Sequence, residues 1–332
     1  MFESIEFQNF KALRNATLPL SQFTLIVGAN GCGKSTALSA LLAFRDRELS
    51  DVSTLRTVGL SDSVPVRIVG AWREPQNDCK VIVEWTPGGP RYDIQRPNPP
   101  DNRRNRELAM THSRTRLYSL EATAIARPVH LNPNMELAPD GANLAGVLDR
   151  LRDQNPERFE ALNQQLGRWI PEFDRILFET PGQGQRSIAL RTREGKHSIK
   201  AADLSQGTLI ALALLTIAYL PEPPSIVCLE EPDHGLHPRL LRDVRDALYR
   251  LAYPEGAEEK REPVQVIATT HNPYFLDLFR EHPEEIVIAE KVGMEGKFSR
   301  LSDRADLEEI LADAPLSEVW YSGVLGGVPS GT

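Results

Sequence analysis

A chain of 332 residues, 41% of them hydrophobic and 25% charged, can bury a sizeable core and has the balance of an ordinary globular protein of one or two lobes. Its net charge of −8 argues against a surface coated for polyanions, although a local basic patch is compatible with it. No apolar run approaches the eighteen or so residues of a membrane span, which sets aside a membrane protein.

The opening Met1 to Phe7 lacks the basic-then-apolar order of a signal peptide. Cys32, Cys79 and Cys228 are odd in number and widely spaced, as free thiols are. Together these give the expectation of a cytoplasmic protein with no membrane partner. Ile5, Phe7 and Phe10 begin a strand pattern, and Ala16 to Leu20 is too short to assign. Phe23 to Val27 is an apolar strand running straight into Gly28-Ala29-Asn30-Gly31-Cys32-Gly33-Lys34-Ser35-Thr36, followed by the helix-forming stretch Ala37 to Phe44. The loop fits GxxxxGK[ST], and its strand–loop–helix context makes it a phosphate cradle for a nucleoside triphosphate. Glycines bring backbone N–H groups close to phosphate oxygens, and the helix N-terminus adds positive potential. Lys34 would reach the β- and γ-phosphates, and Ser35 would offer its hydroxyl to Mg²⁺.

Val66 to Val69 and Val81 to Trp85 read as strands of an antiparallel β portion, while Pro87 to Pro100, rich in Gly and Pro, reads as a loop. From Asp101 to about Glu179 the character turns helical. Ala142 to Leu151 has helical spacing, which Phe159, Leu162, Leu166 and Trp169 continue. Arg103, Arg104, Arg106, Arg114 and Arg116 crowd the start of this region. Arginine forks suit DNA phosphates, but a solvated charged face has the same appearance, and few aromatics are present to stack bases. Gln185 to Lys200 alternates, with a hairpin expected around Glu194-Gly195. The expected organisation is 1–100 as the first part of an ATPase lobe, 101–184 as a helical insertion and 185–332 as the second part.

Three elements of the second half complete a candidate site. Ser205 and Gly207 open the apolar helix that follows, a good N-cap with room for an anion, and as a lone signal simply a cap. Ser225 to Leu229 is a buried strand delivering Glu230 and Glu231 to the carboxyl end of a parallel sheet, where α/β folds hold ligands. Glu230 would hold the Mg²⁺ shell, and Glu231 would orient or deprotonate an attacking water. Val264 to Thr270 delivers His271 in the same way, placing an imidazole where it can hydrogen-bond the γ-phosphate.

The order of phosphate loop, Ser-x-Gly, Glu-Glu strand and strand-end His resembles an ABC-type ATPase, and more narrowly the non-transporter branch of RecF, SMC-type and OLD-family proteins. Ile5 to Lys11 and the run from Glu230-Glu231-Pro232-Asp233 to Gly235-Leu236-His237-Pro238 are also similar to that group. The resemblance implies an α/β head with a mixed sheet, an antiparallel β portion and a helical insertion lobe. It implies that Asn30, Gly31, Cys32, Gly33, Lys34, Ser35 and Thr36 bind ATP, that Ser35 and Glu230 hold Mg²⁺, and that Lys34, Glu231 and His271 act in hydrolysis. It further implies that Ser205 and Gly207 are the signature that caps nucleotide held by a second copy, giving a head-to-tail homodimer or a higher assembly of such dimers. His237 falls in the D-loop. For the Q-loop, Gln76 and Gln95 are candidates by position alone, and neither is assigned.

Ser205-Gln-Gly-Thr208 departs from the Ser-Gly-Gly-Gln of transporters and argues against a transport subunit. The absence of sustained heptads argues against SMC-type arms. Too little chain follows His271 for an appended nuclease domain, so the resemblance points to DNA maintenance or anti-phage defence through a separate effector, for example a TOPRIM-like nuclease. An ATP-gated scaffold with little hydrolysis is the alternative. The tail from Leu316 to Gly327 resembles the ends of small bacterial ATPases of this group, or else packs Trp320 and Leu325 onto its own domain.

Overall fold

The computed structural model describes residues 1–45, 54–73, 79–95, 109–133, 135–257 and 259–326. They form two compact units, one of Met1–Leu117, Pro224–Glu230 and Pro263–Thr332, the other of Tyr118–Pro223 and Glu231–Glu262.

In chain order, β1 (Phe2–Phe10) and β2 (Leu13–Pro19) pair antiparallel, with Ile5 opposite Leu18 and Phe7 opposite Ala16. Most of Ala16 to Leu20, too short to read by itself, falls within β2, whose Leu13, Ala16 and Leu18 are buried in the core once β1 pairs with it. β3 (Phe23–Val27) is buried at every position and leads to α1 (Lys34–Leu41). β4 (Val66–Trp72) and β5 (Lys80–Thr86) join β1 and β2 in an antiparallel sheet of order β2-β1-β4-β5-β6. Its last member, β6 (Gly89–Gln95), corrects the expectation of a loop over Pro87 to Pro100. Pro90 is tolerated because β6 is an edge strand, and Tyr92 and Ile94 pack their alternating face on the core. Residues 96–100 lie outside the described residues.

β7 (Thr115–Tyr118) is followed by α2 (Ala122–Ile125), β8 (Val129–His130), α3 (Leu144–Gln154) and α4 (Pro156–Trp169). α3 buries Leu144, Val147, Leu148 and Leu151, and α4 buries Phe159, Leu162, Leu166 and Trp169, the spacing that marks both as helices. The helical character ends earlier than expected: β9 (Phe173–Glu179) is a strand, paired with β10 (Gln185–Thr192), which pairs in turn with β11 (Ser198–Lys200) across the turn containing Glu194-Gly195. α5 (Gln206–Tyr219) is buried along nearly its whole surface. β12 (Ile226–Glu230) precedes α6 (Leu240–Ala252), which buries Leu241, Val244, Leu248 and Leu251.

β13 (Gln265–Thr270), α7 (Pro273–Asp277), β14 (Ile286–Val292), β15 (Glu295–Arg300), α8 (Leu307–Asp313) and α9 (Leu316–Tyr321) complete the chain. The second large sheet has the order β15-β14-β3-β13-β12-β7. Its central strands β14, β3, β13 and β12 are parallel. The core of the first unit lies between the antiparallel sheet, α1 and one face of the parallel strands, and includes Phe2, Phe7, Phe10, Leu38, Phe44, Ile226, Cys228 and Ile267. All three cysteines are buried free thiols. Trp320 and Leu325 are buried, so the described part of the tail packs on its own unit. Among the described residues no helix is long and apolar enough to cross a membrane.

Candidate functional site

The parallel register decides where the chemistry gathers in the first unit. Thr270 of β13 lies opposite Val27 of β3, and Glu230 of β12 lies opposite Thr269 of β13. The three strands therefore end at one edge, and each delivers its candidate residue there: the loop from Gly28, the carboxylate Glu230, and His271. This is the carboxyl edge at which parallel sheets hold ligands.

The loop has the backbone a phosphate cradle needs. Gly33, the N-cap of α1, has φ 97°, a left-handed conformation that a side chain resists, and a Cβ there would lie 2.8 Å from Leu13 Cδ2. Lys34 is 6% exposed, and its Nζ donates to the carbonyls of Gly28 (2.6 Å) and Ala29 (3.0 Å), so the ammonium is held over the inside of the loop. Asn30, Gly31 and Ser35 are exposed, and Thr36 is half-buried. Cys32 is buried, with its thiol donating to the Ala29 carbonyl at 2.9 Å. Burial pushes that thiol's pKa up against the opposing pull of Lys34, which disfavours the thiolate.

Ser35 and Glu230, far apart in sequence, are joined by a short hydrogen bond from the Ser35 hydroxyl to Glu230 Oε1. A hydroxyl and a carboxylate oxygen side by side form a hard oxygen donor set suited to Mg²⁺. Among the described residues no group of three or more His, Cys, Asp or Glu could hold a metal ion. The rest of such a shell would fall to water and substrate phosphates, as is usual for Mg²⁺. His271 is exposed. Asn272 after it caps α7, accepting from the Tyr274 N–H at 3.0 Å, while its own N–H donates to Thr270 Oγ1 at 2.9 Å.

In the second unit, Ser205 caps α5: its Oγ accepts from the Thr208 N–H at 3.1 Å and lies 2.8 Å from Thr208 Oγ1. Gly207 faces the Gly235 carbonyl, which a Cβ at 207 would approach to 2.8 Å, so the Ser-x-Gly turn and the Gly235–His237 turn pack backbone to backbone. That contact between the two motifs could not be seen in their separate sequences. Glu231, half-buried, has φ 45°. A left-handed non-glycine residue at the end of an acidic strand is the kind of backbone strain that collects at functional sites. His237 Nδ1 accepts from the Arg239 N–H at 3.2 Å.

Of the basic patch, Arg103, Arg104 and Arg106 lie outside the described residues. Arg116 donates to the carbonyls of Ser113 and Thr115, at 2.8 and 2.9 Å. Gln76 also lies outside the described residues, and Gln95 is exposed at the end of β6.

Residues 89–277, more than half of the chain, match the family model described as "AAA domain, putative AbiEii toxin, Type IV TA system", and residues 1–84 match one described as "AAA ATPase domain". The chain is similar to an OLD nuclease of Thermus scotoductus, 24% identical over 331 residues, with 84% of this chain and 60% of that protein covered. It thus spans about 60% of the length of that curated relative. Among solved structures, an Smc head bound to the C-terminal winged-helix domain of ScpA is similar with a TM-score of 0.63 at 18% identity, covering 90% of this chain and 97% of that one. An Smc head with an extended coiled coil, bound to the C-terminal domain of ScpA derived from Pyrococcus furiosus, gives 0.62 at 18%, covering 93% and 99%. The SMC head of Thermotoga maritima gives 0.51 at 16%, covering 90% and 98%. At these identities the likeness is one of fold, the ABC-type ATPase head with its mixed sheet. The chain therefore belongs to the AAA domain family of the first model and has the fold of an ABC-type ATPase head, similar to an OLD nuclease in sequence and to SMC heads in structure.

Proposed function

We propose that this protein binds ATP with Mg²⁺ and hydrolyses it between two copies of the chain, in a head-to-tail homodimer or a higher assembly built from such dimers. The observation that carries the reading is the direct hydrogen bond between Ser35 and Glu230 beside the buried Lys34. A hydroxyl and a carboxylate oxygen side by side, next in the chain to a buried ammonium at the carboxyl edge of a parallel sheet, support a cation site adjoining a phosphate site.

Phosphoryl transfer to water leaves little covalent work for a protein, so the residues act by positioning and charge. Asn30, Gly31, Cys32, Gly33 and Thr36 would line the phosphates with backbone and hydroxyl groups, and Lys34 would bring the positive charge. Ser35 and Glu230 would hold Mg²⁺, which when bound neutralises charge on the phosphates. Glu231 would orient the attacking water and accept its proton, and His271 would donate a hydrogen bond to the γ-phosphate. Ser205 and Gly207 of the second copy would cap that phosphate from the other side, making occupancy and dimerisation one equilibrium.

The biological output is assigned to a separate effector. The chain covers 60% of an OLD nuclease, and the matching family description names a toxin of a toxin–antitoxin system. Both support a role in DNA maintenance or anti-phage defence, with a TOPRIM-like nuclease as the partner that fits best. Contact with DNA by this chain itself would rest on Arg114 and Arg116 and the residues before them, in a cytoplasmic setting. The test is Glu231→Gln measured by light scattering with ATP and Mg²⁺. Hydrolysis should fall by about 10²–10⁴-fold and an ATP-bound dimer should accumulate. A Glu231→Gln protein that hydrolyses ATP at the normal rate overturns the role given to Glu231.

A further inference from the structure

His271 stands at the end of β13 and at the start of a helix with little stability of its own. α7 is five residues long, and a single helical turn does not persist without packing and caps. Its N-terminal end is laced by Asn272 to Thr270 and Tyr274. Its core side is held by Phe275, Leu276 and Phe279, all fully buried.

The remaining grip comes from the far end of the described chain. Asp277, the last residue of α7, accepts a hydrogen bond at Oδ1 from the Ser317 N–H (2.8 Å) and so caps the first turn of α9. Arg280 spreads its guanidinium over two carbonyls, donating from Nη1 to Ala314 at 2.5 Å and from Nη2 to Leu311. A planar fork spent on two neutral carbonyls of one segment is a directional clasp, because both bonds need one orientation of the group. The clasped segment, residues 307–326, is anchored beyond it by buried Leu316, Trp320 and Leu325. Its other end, Gly326, meets β14: a Cβ there would lie 1.4 Å from Glu290 Oε1. The residue before Glu290 is Ala289, whose carbonyl faces Gly28, the first glycine of the phosphate loop. One segment therefore touches both the helix that leaves His271 and the strand that backs the phosphate loop.

We propose that residues 307–326 form a positioning strap for His271, acting through Asp277 and Arg280 as positioning residues. The inference rests on the hydrolysis reading above and goes beyond it by naming what sets the histidine. Releasing the strap lets α7 tilt and draws the imidazole away from the γ-phosphate, while the loop that binds ATP keeps its own hydrogen bonds. A displacement of about 1 Å at a catalytic group can cost two orders of magnitude in rate.

The test compares Arg280→Ala, Arg280→Lys and Ser317→Pro in the full chain. Ser317→Pro removes the N–H that donates to Asp277, within the first turn of α9 where proline is tolerated, and it serves if Arg280→Ala does not fold. The expected result is a fall in kcat of about tenfold or more with the Kd for ATP within about twofold, partial recovery in Arg280→Lys, and no further loss when Arg280→Ala is added to His271→Ala. An unchanged kcat, or losses that multiply in the double variant, overturns the strap. The NMR signal of the His271 ring gives a readout independent of turnover: it should move in Arg280→Ala and Ser317→Pro, and a stationary signal overturns the proposal. Should the wild-type protein not hydrolyse ATP, the functional reading falls and the ring signal alone judges the strap.

Discussion

Replacing Gly28 with alanine tests how tightly the phosphate loop is seated against the sheet. The parallel pairing of β14 with β3 runs through Ile288 opposite Val27, which brings the Ala289 carbonyl onto Gly28. A Cβ at 28 would lie 2.2 Å from that carbonyl oxygen and 3.0 Å from Cys32 Sγ. Carbon and oxygen rest near about 3.4 Å, so strand and loop would have to part by roughly 1 Å. Forcing atoms into so close a contact costs about 2–3 kcal/mol. For a unit of this size that is a fall in Tm of roughly 4–12 °C. Gly31→Ala is the internal control, since nothing lies within 4 Å of its Cβ and only its φ of +79° resists the change. Its cost is about 1 kcal/mol, or roughly 2–4 °C. Thermal melts of the three proteins, with equilibrium dialysis of ATP, should rank wild type above Gly31→Ala and both above Gly28→Ala, which should also bind ATP weakly. A Gly28→Ala protein that melts and binds like wild type would mean that β14 does not press on the loop.

Two further predictions concern the second unit. Asp174 accepts hydrogen bonds from Arg191 and Lys196, which hold its pKa well below the usual carboxylate range. A folded pKa below the unfolded one stabilises above the ordinary carboxylate pKa and is lost as pH falls. Asp174→Asn should therefore lower stability at neutral pH and flatten the decline between about pH 5 and 2; an acid limb identical to wild type contradicts this. Glu259, 11% exposed, is the shared partner of Arg158 (3.6 Å), Arg250 and Arg261 (2.9 Å). Burial lowers the Arg261 pKa, Glu259 opposes that, and Arg158 and Arg250 add to the lowering. Glu259→Gln leaves three cations without their carboxylate and should cost about 3–5 kcal/mol in urea unfolding; a loss below about 1 kcal/mol contradicts the network.

The parts legible in the sequence are those whose signal is local. The phosphate loop, the strands feeding it and the helices α3, α4 and α5 declare themselves through motif or periodicity within a dozen residues. β6 was hidden because Gly and Pro ordinarily break strands, and only an edge position lets Pro90 belong to one. β2 was hidden because Leu13, Ala16 and Leu18 become a pattern only once β1 lies beside them. In the site, the sequence supplied candidates but not their contacts. The Ser35–Glu230 bond, the Gly28–Ala289 approach and the Gly207–Gly235 packing are set by strand register and turn geometry across long stretches of chain. Asp277 and Arg280 carried no signal at all, since an acid and a base after a histidine look like any solvated helix end until α9 is in place.

The central claim, that each ATP is completed by two copies, is tested most directly by mixing two inactive variants. Lys34→Ala removes a copy's own phosphate site and leaves its signature, while Ser205→Arg blocks the signature and leaves the phosphate site. Each alone should hydrolyse essentially no ATP. An equimolar mixture should recover about a quarter of wild-type turnover, because half of the dimers are mixed and each mixed dimer holds one intact composite site. A mixture as inactive as its components, with mixed dimers present by mass, would contradict the shared site.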